Sequence, residues 1–162
     1  MSLNSSTKIL ERVPSTPAPL NLSTWSAGVN YRIVTSNAFP TTGSFANDLS
    51  INSLGIYSLS NLTLSIDSGK TLDIASGALS QMEGVNGQIF LFTNGMLTSS
   101  SGSLTIHKST VQYDGNLIIA SAITGPGMNL IKMGLGNLFL QGPDSNTSNG
   151  TTYVAGDLTA NK

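Results

Sequence analysis

Asp67 to Thr71 reads DSGKT and ends like a phosphate-binding loop. Such a loop cradles phosphate oxygens with glycine amides and sets a lysine against them at the start of a helix. The spacing here does not fit. The motif asks for a glycine five residues ahead of Gly69, and that position is Leu64. No helical pattern follows, so Lys70 reads as a solvated turn lysine. Asp67 and Asp73 are the closest acidic pair, and paired carboxylates can hold calcium or share acid–base work on a glycan. The six Asp and two Glu are otherwise widely spread, and the lysine between this pair, Lys70, reads as a turn residue rather than a catalytic base. Asp67 is expected to cap a turn and Asp73 to lie on a strand surface. His107, the single histidine, closes the run SLTIH with no Ser or Asp partner in a motif, which makes it a surface residue rather than part of a triad. Cysteine is absent, which excludes thiolate nucleophiles, thiolate zinc sites and disulfides. The expectation is a non-enzymatic chain, with no catalytic, cofactor-binding or metal-binding residue.

Composition agrees with that reading. The chain has 162 residues, enough for one domain with a real core. Only 9% of them are charged, where an ordinary soluble domain has about 25%. Ser, Thr and Asn fill the gap, and hydrophobic residues at 39% are too many for a disordered chain. A net charge of -1 with only Arg12 and Arg32 leaves no basic patch for nucleic acid. No apolar run approaches the roughly 20 residues of a membrane span, and the N-terminal segment MSLNSSTKILERVP has no hydrophobic signal core.

From Leu20 onward the pattern is β. Leu62, Leu64 and Ile66 alternate with Thr63 and Ser65; Leu72 and Ile74 bracket Asp73; Leu104 and Ile106 bracket Thr105; Leu117 and Ile119 follow, then Leu138 and Leu140. Period two with small polar residues between is a strand with one face buried. The run GQIFLF, residues 87–92, is apolar at both parities and predicts cover on both faces. Ser68-Gly69, Ser76-Gly77, Asn86-Gly87, Asn94-Gly95, Ser101-Gly102, Asp114-Gly115 and Asn149-Gly150 read as tight corners. A helical turn fits only residues 4–13, where Ile9, Leu10 and Val13 follow Thr7 and Pro14 ends the run.

Periodicity leaves two architectures open, a sandwich of hairpins and a parallel solenoid. The shortness of the strands and their uncharged outward residues favour the solenoid. Stacked turns place like residues about 4.8 Å apart, where like charges repel and Ser, Thr and Asn can hydrogen-bond.

Residues 125–158 add a repeat signature. Gly125 and Gly127 are followed by Leu130, Lys132, Gly134, Gly136, Leu138, Leu140 and Gly142. Asn146, Thr147, Gly150, Thr151, Thr152, Val154, Gly156 and Leu158 complete it. This stretch resembles the autotransporter-associated β-strand repeat of bacterial autotransporter passenger domains. It departs from that pattern at Ser148, where Tyr is usual, and in the insertion 143–145. The resemblance implies an all-β fold, a right-handed single-stranded parallel β-helix with a short N-terminal cap segment. Gly134 and Gly136 would then mark a corner between two faces rather than a phosphate site.

The resulting expectations are these. Residues 1–20 form an N-terminal extension, a cap followed by a Pro-rich connector. Residues 21–162 form the β-helix domain, with Trp25 covering its first turn. The function is that of a structural or adhesive fragment of an exported passenger at the cell surface or outside the cell. The alternatives are a carbohydrate-binding or polysaccharide-degrading β-helix, and a phage or secreted fibre segment. Partners would be a host-surface protein or glycan, or a second solenoid end, with no nucleic acid. The parent would be anchored by a membrane barrel outside this chain, which lacks its own signal peptide.

Overall fold

A short strand with one apolar face cannot bury that face alone; stacking parallel copies does so. The computed structural model describes residues 11–12, 22–35, 41–82, 89–109, 115–143 and 145–161. Its strands are β1 (Glu11–Arg12), β2 (Asn30–Thr35), β3 (Thr41–Phe45), β4 (Leu49–Ser58), β5 (Leu62–Ile66), β6 (Thr71–Gln81), β7 (Ile89–Thr93) and β8 (Met96–Thr98). There follow β9 (Ser103–Lys108), β10 (Asn116–Ile119), β11 (Ala122–Ile123), β12 (Asn129–Met133), β13 (Leu138–Gln141), β14 (Thr152–Val154) and β15 (Leu158–Asn161). Among the described residues the helical structure is one 3-10 turn, Leu22–Thr24.

Two sheets enclose the core. Sheet A has nine strands: β1, β2, β4, β6, β8, β9, β11, β12 and β14. Sheet B has six: β3, β5, β7, β10, β13 and β15. Every pairing is parallel. From β2 onward the chain passes from sheet A to sheet B and back, and each return pairs with the strand laid down one turn before. That is a parallel β-solenoid, and the hairpin sandwich is excluded.

Register aligns the inward residues in rows. In sheet B, Leu62, Phe90, Leu117, Leu138 and Leu158 stack directly, and beside them run Gly43, Leu64, Phe92, Ile119, Leu140 and Ala160. In sheet A, Tyr31, Leu54, Leu79, Ile106, Lys132 and Val154 form one row. Ile33, Ile56, Gln81 and Lys108 form the next. Leu138 and Leu140 are buried and Asn137 is half-buried, as period two requires. At the start of the stack Trp25 lies flat on Tyr31, ring centres 3.9 Å apart, and edge-on to Phe45 at 5.6 Å. In the last turn burial falls away: all of β14 is exposed.

Three local expectations are corrected. Glu11 and Arg12, placed by pattern in a helical turn, form β1 and pair with Ile33 and Val34. Sheet pairing there overrides a weak i, i+4 signal; the rest of that turn, and Asn86-Gly87, lie outside the described residues. Ser76-Gly77 is not a corner between strands. It sits inside β6 at a bulge, where register with β4 jumps from Ile51↔Ile74 to Ser53↔Ala78 and the strand bends. The GQIFLF run is covered on one face only: Phe90 and Phe92 are buried, while Ile89 is exposed and Leu91 half-buried.

Candidate functional site

The glycine-rich stretch 125–158 is occupied by its own stacking. Gly134 has φ of 79°, and a Cβ there would run into the carbonyl of Lys108 one turn below. A Cβ on Gly156 would in turn run into the carbonyl of Gly134. Backbone meets backbone at this corner, so no ligand fits under the glycines. The asparagines satisfy amides that side chains or water must otherwise pair. Asn146 Oδ1 accepts from Ile123 N at 2.9 Å, Asn149 Oδ1 from Gly127 N at 2.5 Å, and Asn129 Oδ1 from Thr151 N at 2.9 Å. Ser148 is held by its own backbone, its N donating to Ile123 O at 3.2 Å.

The acids act between turns as acceptors. Asp73 Oδ2 accepts from Ser50 Oγ at 2.7 Å on one side and Ser100 Oγ at 2.9 Å on the other. Its Oδ1 accepts from Ser100 N at 2.8 Å. Asp67 Oδ1 accepts from Ser44 Oγ at 3.0 Å, and Asp48 Oδ1 from Thr71 N at 2.8 Å. Asp67 and Asp73 therefore serve separate ladders. Among the described residues no three of His, Asp and Glu converge on one point. Lys70 lies in the turn between β5 and β6, its N donating to Asp67 O at 2.9 Å. His107 is exposed on the outer face of β9.

Two lysines are buried where the rows call for apolar residues. Lys132 is wholly buried, and its Nζ donates to Gly134 O at 2.6 Å and Met133 O at 3.1 Å. It thereby satisfies two carbonyls at the glycine corner. Burial lowers its pKa, and the charge of Asp157 partly opposes that. Lys108 is 2% exposed; its pKa is lowered by burial first and by the positive charge of Lys132 second. Gln81 stacks directly on Lys108, and both polar atoms of its side chain are buried without a hydrogen-bond partner among the described residues.

The outer face of sheet A carries an open groove. Arg32, Ser53, Gly55, Ala78, Ser80 and Met82 line a groove of about 330 Å³. Arg32, Gly55, Ser80 and His107 follow one another across four strands in a single outward row. The Arg32 guanidinium rests over the Tyr57 ring, 5.7 Å from its centre. Its Nε is buried with no hydrogen-bond partner among the described residues.

No family model, curated protein or solved structure matches this chain. The solenoid and its surfaces are accordingly read from their own geometry.

Sequence reasoning placed His107, Asp67 and Asp73 on the surface, where His107 and Asp67 are exposed and Asp73 is half-buried, and it missed the buried lysines and the groove. The lysines were readable. Lys108 shares its parity with Leu104 and Ile106, and Lys132 shares its parity with Leu130. The groove was not, because its residues come from strands about 23 residues apart in sequence.

Proposed function

We propose that this chain is a non-enzymatic structural and adhesive segment of an exported bacterial autotransporter passenger. Its role is to extend a stalk and to display a binding surface along the sheets. One observation carries the reading. The residues of the repeat-like stretch that could have bound a ligand are spent on stacking: Gly134 and Gly156 on backbone approach, Lys132 on corner carbonyls, Asn146 and Asn149 on loop amides. A module whose marked residues serve continuation of the stack is built for length and shape. The low charge supports the same reading, since charged ladders along stacked turns repel and Ser–Asp and Asn–Ser ladders do not.

The test is to place the chain between a secretion signal and an outer-membrane barrel and display it on cells. The expected result is a folded, protease-resistant segment that antibody reaches on intact cells and that mediates attachment to a host-cell or glycan surface. Gly134→Val should abolish resistance by breaking the corner. Retention inside the cell, or release of unsaturated uronides or reducing ends from polysaccharide by the purified chain, would overturn the reading. A stable trimer in light scattering would move it to a secreted fibre segment.

A further inference from the structure

We propose that the groove centred on Gly55 binds the carboxylate of an acidic sugar, a uronic acid unit of a glycan, with Arg32 as the anion-binding residue. This rests on the reading of the chain as a binding surface and names its ligand class. The first observation is Gly55 itself. It lies in the middle of β4, paired on both sides, and its φ is outside the left-handed region. A Cβ there would meet nothing nearer than Ser80 Oγ at 3.5 Å. Neither backbone conformation nor space demands glycine, and glycine weakens a strand interior unless something approaches closely. What the missing side chain opens is the floor of the groove.

The second observation is charge. Arg32 has no acidic partner among the described residues; it lies over Tyr57, and its Nε is buried and unpaired. A planar guanidinium held against an aromatic ring, with no carboxylate paired to it among the described residues, matches a carboxylate, whose two oxygens accept side by side. One cation suits a singly charged carboxylate better than a phosphate monoester, which carries up to about two charges at neutral pH.

The third is the character of the floor. Ser53, Ala78 and Ser80 are small, so a flat ring can lie against the sheet. Asn30 Oδ1 already accepts from Asn52 Nδ2 and Ser53 Oγ, both at 2.6 Å, which orients its amide and leaves Nδ2 to donate to a ring hydroxyl. An extended peptide would instead seek free backbone N–H and C=O groups at a sheet edge. This groove lies on the face of a strand whose ladder bonds are taken on both sides.

Calorimetric titration of the full chain with a galacturonic acid trimer tests the proposal. Neutral galactose trimer, sulfated galactose trimer and hexaglutamate serve as comparison ligands. The expected result is saturable binding of the uronate alone, weakened at least about tenfold by Arg32→Gln. Gly55→Leu, which the ordinary φ and open space allow to fold, should weaken it similarly, with an unchanged β circular dichroism spectrum. Absent uronate binding, or binding by either variant as tight as that of the wild type, overturns the proposal. So does binding of hexaglutamate or the sulfated sugar as tight as that of the uronate. Display and attachment without uronate binding would overturn this proposal alone; uronate binding by a chain retained inside the cell would overturn only the passenger reading.

Discussion

Sheets A and B face each other across one interior, yet their inward rows diverge along the stack. In sheet B the row Leu62, Phe90, Leu117, Leu138, Leu158 is apolar throughout. In sheet A, Leu54 and Leu79 give way to Lys132, while Ile33 and Ile56 give way first to Gln81 and then to Lys108. The difference follows from what each sheet feeds. Sheet B strands run through in register with their neighbours. The later sheet A strands run into the corner at Gly134, where the backbone turns and leaves carbonyls pointing inward. Lys132 reaches two of those carbonyls. Lys108 and Gln81 sit one row further along, where burial is as deep, both Gln81 polar atoms have no partner among the described residues, and burial and Lys132 both disfavour the Lys108 charge. A polar residue in a solenoid interior is therefore two different things, a bracket for the corner or an uncompensated cost.

The strongest way to break this comparison is to put a charge into the apolar row. Leu138→Asp buries a carboxylate between Leu117 and Leu158, and it should destabilise by about 3–5 kcal/mol. Because turns contact only their neighbours, protection against hydrogen exchange should be lost around β10 to β15 and kept around β4 and β5. Asn137→Asp, one residue earlier and on the opposite parity, should cost well under about 1 kcal/mol. Equal losses in the two variants would mean that the rows do not stack as described.

A smaller effect separates the two lysines. Lys132→Met keeps the bulk but strands the carbonyls of Met133 and Gly134, and a urea melt should show a loss of about 1–3 kcal/mol. Lys108→Met removes a buried charge and its repulsion with Lys132, so it should be neutral or stabilising, by up to about 2 kcal/mol. If Lys108→Met were the more harmful of the pair, the assignment of bracket and cost would be reversed.

How far this was legible in the sequence depends on the reach of each signal. Period two is local, and it placed Leu62, Leu104, Ile106, Leu117 and Leu138 inward without error. The same parity points Lys108 and Lys132 inward, and only the stacked turns show what surrounds them. Gly134 was read as a corner from the repeat that residues 125–158 resemble. Gly77 was misread as one because a bulge and a turn use the same dipeptide, Ser-Gly, and register with β4 tells them apart. Gly55 carried no local mark. Its meaning comes from Arg32 and Ser80, partners fixed by stacking.

The mildest test is alkaline pH, and its sign follows from the lysines. Burial lowers the folded-state pKa of both Lys108 and Lys132 below the ordinary lysine value of 10.5. Below those lowered values each lysine is charged in folded and unfolded chains alike, and the burial cost acts in full. Between them and 10.5 the folded chain has shed protons that the unfolded chain still binds, so stability rises with pH. Above 10.5 both states are neutral and the cost is gone. Neutral Lys132 can still donate to Gly134 O and Met133 O, so the corner survives the titration. Urea midpoints measured across this window should climb in the wild type and climb less in Lys108→Met. The comparison between these two chains cancels tyrosine ionisation, which both share. A wild-type midpoint that falls relative to Lys108→Met would mean that Lys108 is held as a stabilised cation, and that the interior of sheet A is as well paired there as at Lys132.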